Sequence, residues 1–415
     1  MSSRENPTRA AELEAIRFAW DPRRFNRRVV EVPATMRAGP VEPGVISLAF
    51  GAPAPELFPA AGLLDAAREA LTDVAAYAVA LQYGAVLGNP VLLGELQKKL
   101  EAEEGRAIEP GALAITNGSS QAIGLTVQVL ANPGDVCLIE SPTFMGTIRT
   151  VRFNGITMVP VAQDAHGLDL AVLEAAVTKL RAAGTPPRFL YTTPTFNNPT
   201  GATMPLDRRR ALLDLAARFD VPIIEDDAYG DLRYEGEPLP TLHALDPHGV
   251  VVRLGTFSKI VAPGVRLGFV LAHPALIERL QPFKSEGSTN GLASLIVGTF
   301  MKSGRLAAHI QTLRRAYRAR RDALYAALEA EMPETVAWTR SEGGFFAWLT
   351  LAPRVDVEKV MARAADEQVV AIPGPACFPT GEGVHHLRLS WSLQPIDRMA
   401  EGVRRLGRAI RAGSP

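Results

Sequence analysis

Apolar and amphipathic segments alternate along the chain between about residues 112 and 272. Seven segments are nearly continuous in apolar residues, and they cover residues 112–117, 135–140, 156–161, 189–194, 221–226, 250–256 and 266–272. Segments with helical spacing lie between most of them, as near 169–183 and 206–219. Strands that are apolar on both faces and joined by helices are typical of a parallel sheet covered on both sides. The pattern therefore predicts an α/β fold on a mainly parallel, seven-stranded sheet.

The pattern differs on either side of this region. The first fifty residues are irregular, and Pro and Gly are frequent over 39–55. After about residue 290 the sequence predicts long helices, a few strands and a last amphipathic helix over 394–411. We therefore expect a large α/β domain over 61–290. Residues 1–60 and 291–415 would form a smaller α+β domain with an N-terminal arm.

Composition excludes several classes of partner. Lys and Arg number 44, as do Asp and Glu, so the formal net charge is zero and no polyanionic partner is indicated. Two cysteines, Cys137 and Cys377, are too few for a disulfide framework, and no Cys/His spacing suggests a metal site. The charged start lacks an apolar signal core, and no apolar run approaches the roughly 20 residues of a membrane helix. We expect a soluble cytoplasmic protein with no metal.

Polar residues follow four of the predicted strands at the end where each strand stops. They are Gly118-Ser119-Ser120, Asn197-Asn198, Asp226-Asp227-Ala228-Tyr229, and Ser258-Lys259 with Arg266 seven residues further on. Ligands of open parallel sheets bind at these carboxyl ends. Hydroxyls at a helix N-terminus, a hydroxyl beside a lysine and an arginine are groups that bind phosphate. An acid, an amide and a tyrosine hydroxyl could hold a heteroaromatic ring nearby.

Lys259 differs from the other six lysines of the chain. It alone lies in a strand-end loop between apolar segments. The others fall in predicted helices or helix ends, and they are Lys98, Lys99, Lys179, Lys284, Lys302 and Lys359. A lysine that attacks a carbonyl must lose its proton, which requires a buried or partly cationic setting. Lys259 is therefore the candidate nucleophile.

Three sequence blocks resemble the signature blocks of fold-type I, pyridoxal-5′-phosphate (PLP)-dependent aminotransferases of class I/II. They are NNPTGATMPL (197–206), IIEDDAYGDLRY (223–234) and GTFSKIVAPGVRLG (255–268). Six more blocks are similar to that family in the same order, namely APAPELFP (52–59), LQYGAVLGNP (81–90), ITNGSSQAIGL (115–125), ESPTFMGTI (140–148), GGFFAWL (343–349) and HLRLSWS (386–392). The resemblance covers about residues 30–410 and is nearest to the α-aminoadipate/kynurenine aminotransferase-like branch. Nine ordered blocks are a specific signal.

The resemblance implies catalytic roles for three residues. Lys259 would carry PLP as a Schiff base and act as the acid/base. Asp226, three residues before Tyr229, would pair with the pyridinium nitrogen of the cofactor. Tyr229 and Asn198 would hydrogen-bond the ring hydroxyl, while Phe144 would stack on the ring.

The resemblance also implies binding residues at both ends of the site. Those implied for the phosphate end are Ser119, Ser120, Thr256, Ser258, Arg266 and Tyr83, the last from a partner subunit. Arg388 would bind the α-carboxylate of the substrate with help from Gly51 and Asn198, and Arg37 could meet a distal carboxylate. The implied activity is amino-group transfer between an L-amino acid and a 2-oxo acid by ping-pong chemistry in a homodimer. Glutamate and 2-oxoglutarate would be one pair.

The sequence departs from the family pattern at positions near the substrate. Phe144 replaces the commoner tyrosine, and Phe50 stands where the branch usually has glycine. The segment after Arg37 is about three residues shorter than in the branch. Specificity is therefore the property that transfers least.

Two other functions use a similar site. A PLP-dependent lyase, decarboxylase or oxidase of amino acids could share it, because a fold does not fix the reaction. A PLP-sensing transcription regulator would need a DNA-binding module ahead of the first block. About 45 residues without a helix-turn-helix pattern stand there, so we do not expect a regulator.

Overall fold

The computed structural model describes residues 44–413, in which strands and helices alternate along most of the chain. In chain order the strands are β1 (Ile46–Ser47), β2 (Leu113–Thr116), β3 (Val136–Ser141), β4 (Thr157–Asp164), β5 (Gly167–Leu168), β6 (Leu190–Thr192), β7 (Ile223–Asp226), β8 (Val251–Thr256), β9 (Gly268–Leu271), β10 (Ala337–Trp338), β11 (Phe346–Thr350), β12 (Val369–Val370), β13 (Ile372–Pro373) and β14 (His386–Ser390). The α-helices are α1 (Ala60–Ala70), α2 (Val74–Ala80), α3 (Pro90–Glu104), α4 (Ser119–Leu130), α5 (Met145–Phe153), α6 (Leu170–Ala182), α7 (Leu206–Arg218), α8 (Leu242–Leu245), α9 (Pro274–Leu280), α10 (Gly291–Lys302), α11 (Arg305–Glu331), α12 (Val357–Asp366) and α13 (Ile396–Gly413).

The largest sheet has eight strands in the order β2-β9-β8-β7-β6-β3-β4-β5. Strands β8, β7, β6, β3 and β4 pair in parallel, whereas β9 runs antiparallel to both of its neighbours. All seven predicted strands are present, and the mainly parallel sheet is confirmed. The eighth strand, β5, pairs antiparallel with the edge strand β4 and has only two residues, too few to produce a pattern in the sequence.

Two apolar cores cover the two faces of this sheet. Side chains that follow each other along a strand point to opposite faces. In β6, Leu190 packs in the core under α6 and α7, whereas Tyr191 packs in the core under α4 and α5. Ile223 and Ile224 of β7 divide in the same way. Burial on both faces explains the nearly continuous apolar character of these strands.

A second, antiparallel sheet of four strands has the order β10-β11-β14-β13, and β1 pairs with β12 in parallel. The long helix α11 and the last helix α13 pack against each other beside these strands. The domain boundaries at 61–290 and at 1–60 with 291–415 stay a prediction, and most of the predicted arm precedes the described residues. No helix within 44–413 is long and apolar enough to cross a membrane.

A buried ion-pair network joins α3 to the sheet. The guanidinium of Arg253 in β8 lies 2.7 Å from Asp227 Oδ2, 3.2 Å from Glu104 Oε1 and 3.1 Å from Glu103 Oε2. The side chains of Arg253, Asp227 and Glu104 are almost fully buried. Removing one member of such a network leaves the opposite charge buried without a partner. The network therefore stabilises the fold only when all of its members are present.

We expect Arg253→Met to lower the free energy of unfolding by about 3–5 kcal/mol, because it leaves buried carboxylates without a counter-charge. The matched control is Arg188→Met, which removes a half-exposed arginine from its ion pair with Asp135. A pair of that exposure contributes less than about 1 kcal/mol. Urea unfolding of the purified variants measures both values. Equal losses in the free energy of unfolding of the two variants would contradict the prediction that the Arg253 network stabilises the fold more than an exposed ion pair does.

Candidate active site

The residues predicted to act chemically meet at the carboxyl ends of the central strands. Asp226 is the last residue of β7, Lys259 follows β8 by three residues, and Asn198 lies in the loop after β6. Arg388 comes from β14 of the second sheet and reaches this edge. The site is therefore assembled from distant parts of the sequence.

Lys259 is half-buried, and its Nζ donates a hydrogen bond to the main-chain oxygen of Gly51 at 2.8 Å. The ring centroids of Tyr229 and Phe345 lie 5.9 and 5.7 Å from the same nitrogen. Burial, with a smaller contribution from the charge of Arg388, lowers the pKa of Lys259 to about 8, although Asp226 acts in the opposite direction. A much larger fraction of this amine is neutral near pH 7 than for an ordinary lysine.

Asp226 has one satisfied carboxylate oxygen and one that is not. Its Oδ2 accepts a hydrogen bond of 2.5 Å from the hydroxyl of Tyr191, whereas the buried Oδ1 contacts no donor among residues 44–413. Burial raises the pKa of Asp226 to about 6, against the hydrogen bond from Tyr191, which lowers it. A buried acceptor without a partner is costly, so Oδ1 is suited to a donor from a bound molecule.

The two acidic residues at this strand end have different surroundings. Asp227 is engaged by Arg253 on the opposite side of the strand, as described above. Asp226 faces the side on which Lys259 and Tyr191 lie. Adjacent residues of a strand point to opposite faces, which explains why only one of the two carboxylates belongs to the site.

Arg388 is buried without a carboxylate partner among the described residues. Its two terminal nitrogens donate to Asn198 Oδ1 and to the main-chain oxygen of Ala49, each at 2.7 Å. The guanidinium carbon lies 4.3 Å from the ring centroid of Phe346, and Nε has no hydrogen-bond partner in the part of the chain that the structure describes. Burial lowers the pKa of Arg388 from its ordinary value. A guanidinium held by neutral acceptors remains available to pair with an anionic group of a substrate.

Sheet register places the predicted phosphate-binding residues side by side. Thr116 at the end of β2 and Thr256 at the end of β8 both pair with Gly268 in β9. The chain then continues from Thr116 into the N-terminus of α4 at Ser119, and from Thr256 to Ser258. Thr256 Oγ1 lies 3.0 Å from Ser258 Oγ and accepts from the main-chain N–H of Ser258 at 3.1 Å.

The guanidinium of Arg266 lies beside these strand ends and the N-terminus of α4. A Cβ added to Gly118, which precedes α4 with φ +78°, would lie 2.9 Å from Arg266 Nη2. One added to Gly268 would lie 2.8 Å from the main-chain nitrogen of Ser119. The first N–H groups of α4 have no acceptor within the helix, and they carry the positive end of the helix dipole. Glycines thus keep open a space bordered by N–H groups, hydroxyls and Arg266, which suits a phosphate.

For three other predicted site residues the structure gives a position but no hydrogen bond to the residues described above. Ser120 is exposed in the first turn of α4, and Phe144 is half-buried directly before α5. The side chain of Tyr83 is 96 % exposed in the loop after α2. Arg37 lies outside the described residues. The roles predicted for these four residues stay predictions.

Sequence reasoning missed two residues, Glu140 and Tyr191. Glu140 is buried at the end of β3 and accepts from Thr192 Oγ1 at 2.7 Å, Thr193 N at 2.9 Å and Asn197 Nδ2 at 2.7 Å. Burial raises the pKa of Glu140 to about 7. A carboxylate that ends an apolar strand was a usable signal, as it was for Asp226. Tyr191 lies inside an apolar strand, where tyrosine is an ordinary core residue, so the sequence carried no such signal.

The site as a whole fits PLP. The amine of Lys259 is suited to the aldehyde, and Asp226 Oδ1 to the ring nitrogen. The space beside Gly118 and Arg266 is suited to the phosphate. Lys259 and Arg388 donate to the main-chain oxygens of Gly51 and Ala49, and neither forms an ion pair with a carboxylate of residues 44–413.

Comparison with known proteins agrees with this chemistry. The family model described as aminotransferase class I and II matches residues 45–406. An aromatic-amino-acid aminotransferase of Thermococcus litoralis is 37 % identical over 369 residues, which are 88 % of each chain. A 2-aminoadipate transaminase of Thermus thermophilus is 36 % identical over 374 residues, covering 89 % of this chain and 91 % of that one.

A solved structure is similar over nearly the whole length. It is that of the Pyrococcus horikoshii kynurenine aminotransferase in complex with PMP, kynurenine as substrate and KYA as product, with a TM-score of 0.88 and 36 % identity. The match covers 94 % of this chain and 97 % of that one. The fold is therefore that of the fold-type I aminotransferases, in the aminoadipate/kynurenine branch. The chain belongs to the class I and II aminotransferases, PLP-dependent enzymes that transfer an amino group between an amino acid and a 2-oxo acid.

Proposed function

We propose that this transaminase uses glutamate and 2-oxoglutarate as one substrate pair, and apolar or aromatic L-amino acids with their 2-oxo acids as the other. The observation that supports amino acids and 2-oxo acids as its substrates is Arg388, which is buried near Lys259 and has no carboxylate partner among residues 44–413. A cation in that state suits the α-carboxylate that every such substrate has in common. The two half-reactions share one site, which gives ping-pong kinetics.

Each site residue has a task that follows from its surroundings. When bound, PLP supplies an aldehyde that takes up amines as Schiff bases and a ring that accepts electrons from Cα. Asp226 Oδ1 would accept from the ring nitrogen and keep a proton there. Lys259, with its pKa near 8, would take the proton from Cα and deliver it to the exocyclic carbon that carried the aldehyde. Asn198 and Tyr229 would orient the ring hydroxyl.

Arg388 favours transamination over the competing reactions of such sites. Its terminal N–H groups would hold the substrate carboxylate by charge-assisted hydrogen bonds. Pairing with the guanidinium stabilises the carboxylate, and that stabilisation would be lost if the group left as CO₂. The Cα–H bond is then the bond that Lys259 can reach, so proton transfer is the favoured step.

Phe50 is the residue to which we assign apolar specificity. Its neighbours in the chain are Ala49, which binds Arg388, and Gly51, which binds Lys259. Its side chain is 37 % exposed. A half-exposed phenyl group between two residues that anchor the site would contact the side chain of a bound amino acid. Relatives named for aromatic and aminoadipate substrates are in keeping with a site that accepts both kinds.

We further propose a homodimer in which Tyr83 completes the site of the partner. Tyr83 is the most exposed large apolar residue of residues 44–413. The segment before it exposes further apolar side chains, namely Leu71, Val74, Val79 and Leu81. Apolar surface concentrated in one segment marks an interface, and two-fold dimers are the commonest oligomers. The unpaired, buried cysteines Cys137 and Cys377 favour a cytoplasmic location.

The low pKa of Lys259 makes cofactor loading depend on pH. We expect the rate of PLP binding to the apo-enzyme to rise with pH and to level off above about 8, since only the neutral amine attacks. Stopped-flow absorbance measures the rate, and borohydride reduction followed by peptide mapping locates the label. The prediction fails if the rate still climbs beyond pH 9.5, or if the label is on another lysine.

Substrate preference is tested by kcat/KM for glutamate and for phenylalanine. We expect Phe50→Gly to lower the value for phenylalanine by about tenfold, through lost apolar contact, with little change for glutamate. Arg37→Ala should lower the value for glutamate roughly ten- to a hundredfold if its guanidinium pairs with the distal carboxylate. Phe50→Leu, which keeps an apolar side chain, is the control. Equal changes in kcat/KM for glutamate and phenylalanine would show that Phe50 and Arg37 do not determine which amino acid is preferred.

The shared site is tested with heterodimers purified from co-expressed Tyr83→Ala and Lys259→Ala subunits that carry different tags. If Tyr83 serves the partner, both lesions fall in one site and the other site is intact. The heterodimer should then have about half the activity of the wild type, although each parent is nearly inactive. If Tyr83 served its own subunit, both sites would be damaged and activity would not return.

A further inference from the structure

We infer that Tyr191 is a positioning residue that gives the two carboxylate oxygens of Asp226 different tasks. The hydroxyl of Tyr191 holds Oδ2, so that Oδ1 is presented to the ring nitrogen of the cofactor. The inference rests on the proposed role of Asp226 and adds a residue that determines how Asp226 performs it. Tyr191 would act through Asp226 without touching the substrate.

Sheet geometry explains why a tyrosine on β6 can reach Asp226. Strands β6 and β7 pair in parallel, and Tyr191 is the register partner of Ile224. Asp226 lies two residues beyond Ile224, so its side chain is on the same face of the sheet. The diagonal separation between such positions is within reach of a long aromatic side chain. The hydroxyl contacts Oδ2 at 2.5 Å, a length typical of a hydroxyl bonded to a carboxylate.

The asymmetry of the carboxylate is the second observation. Both oxygens are buried, yet only Oδ2 has a donor among the described residues. Without the phenol, the side chain of Asp226 could rotate about its terminal torsion and present either oxygen, since that torsion is broad. With the phenol in place, one orientation is favoured and Oδ1 stays directed away from Tyr191.

The phenol also affects the charge of Asp226. The hydrogen bond from Tyr191 lowers the pKa of Asp226, whereas burial and the charge of Asp227 raise it. Lys259 lowers this pKa from the side of β8. Glu140 in β3 and Tyr229 further along the chain also interact electrostatically with Asp226. Among these neighbours Tyr191 alone donates a hydrogen bond to the carboxylate, and it thereby favours the ionised form that can pair with a protonated ring nitrogen.

The test compares Tyr191→Phe with Tyr325→Phe. Tyr325 is also a buried tyrosine, and its hydroxyl accepts from the main-chain N–H of Ser341, away from Asp226. We expect Tyr191→Phe to weaken PLP binding roughly ten- to a hundredfold, because a hydrogen bond to a charged group is lost. It should also raise the pH at which the Asp226 carboxyl titrates in the apo-enzyme, followed by nuclear magnetic resonance of ¹³C-labelled aspartate. Tyr325→Phe should change neither quantity, whatever it does to unfolding.

A measurement on the wild type keeps the inference testable if Tyr191→Phe does not fold. A hydroxyl bonded to a carboxylate at this distance gives a strongly downfield proton resonance. We expect such a resonance in the apo-enzyme and a shift in its position when PLP binds. Its absence, or unchanged PLP affinity and Asp226 titration in a folded Tyr191→Phe, overturns the inference. Failure of the wild type itself to bind PLP on Lys259 would instead overturn the proposed function.

Discussion

Two cations are held in one buried site by the main-chain oxygens of a single short segment. Ala49 binds Arg388 and Gly51 binds Lys259, and within residues 44–413 no carboxylate takes either role. Two like charges in a low-dielectric setting repel each other, and the lowered pKa of Lys259 is partly an expression of that repulsion. The segment from 49 to 51 thus contacts both Lys259 and Arg388, the proposed nucleophile and the proposed carboxylate-binding group.

The opposite arrangement occurs on the other face of β7. Arg253 pairs with Asp227, Glu104 and Glu103, so every charge there has a partner within the chain. This network ties α3 to the sheet and anchors the strand end from which Asp226 projects. The pleat of β7 separates the two functions, since Asp226 and Asp227 face opposite sides. Structural charges are neutralised inside the fold, while the site charges are left for ligands.

Much of the fold was predictable from the sequence because its physical cause is local. Strands buried on both faces leave continuous apolar runs, and the strand-end residues Asp226 and Lys259 interrupt those runs visibly. Strand β5 has two residues and leaves no pattern. Arg388 lies on another sheet, and no local pattern indicates that it reaches Lys259. Only the family resemblance pointed to it.

The side chains that orient the site were the hardest to predict. Tyr191 and Glu140 lie on buried strands. A buried strand accommodates a core tyrosine or a hydrogen-bonded carboxylate without any role in the site, so the residue type alone does not reveal such a role. Their hydrogen-bond partners come from neighbouring strands or the following loop, so their roles follow from register and from the loop path. Glu140 fixes the loop before Asn198 by binding Thr193 N and Asn197, and Asn198 in turn contacts Arg388. Sequence patterns report which face of an element is buried, but not which buried groups meet across strands.

The buried polar atoms of the site that have no hydrogen-bond partner link ligand binding to the free energy of unfolding. Arg388 Nε and Asp226 Oδ1 are both buried without partners among the described residues, and each such group costs roughly 1–3 kcal/mol or more when charged. A molecule that supplies a donor to Asp226 and an anion to the cations removes part of that cost. By mass action, any ligand that binds only the folded state then stabilises it. The enzyme is therefore least stable in the form that is most ready to bind. This is the expected consequence if cofactor and substrate, rather than the protein, supply the partners of the buried charges in the site.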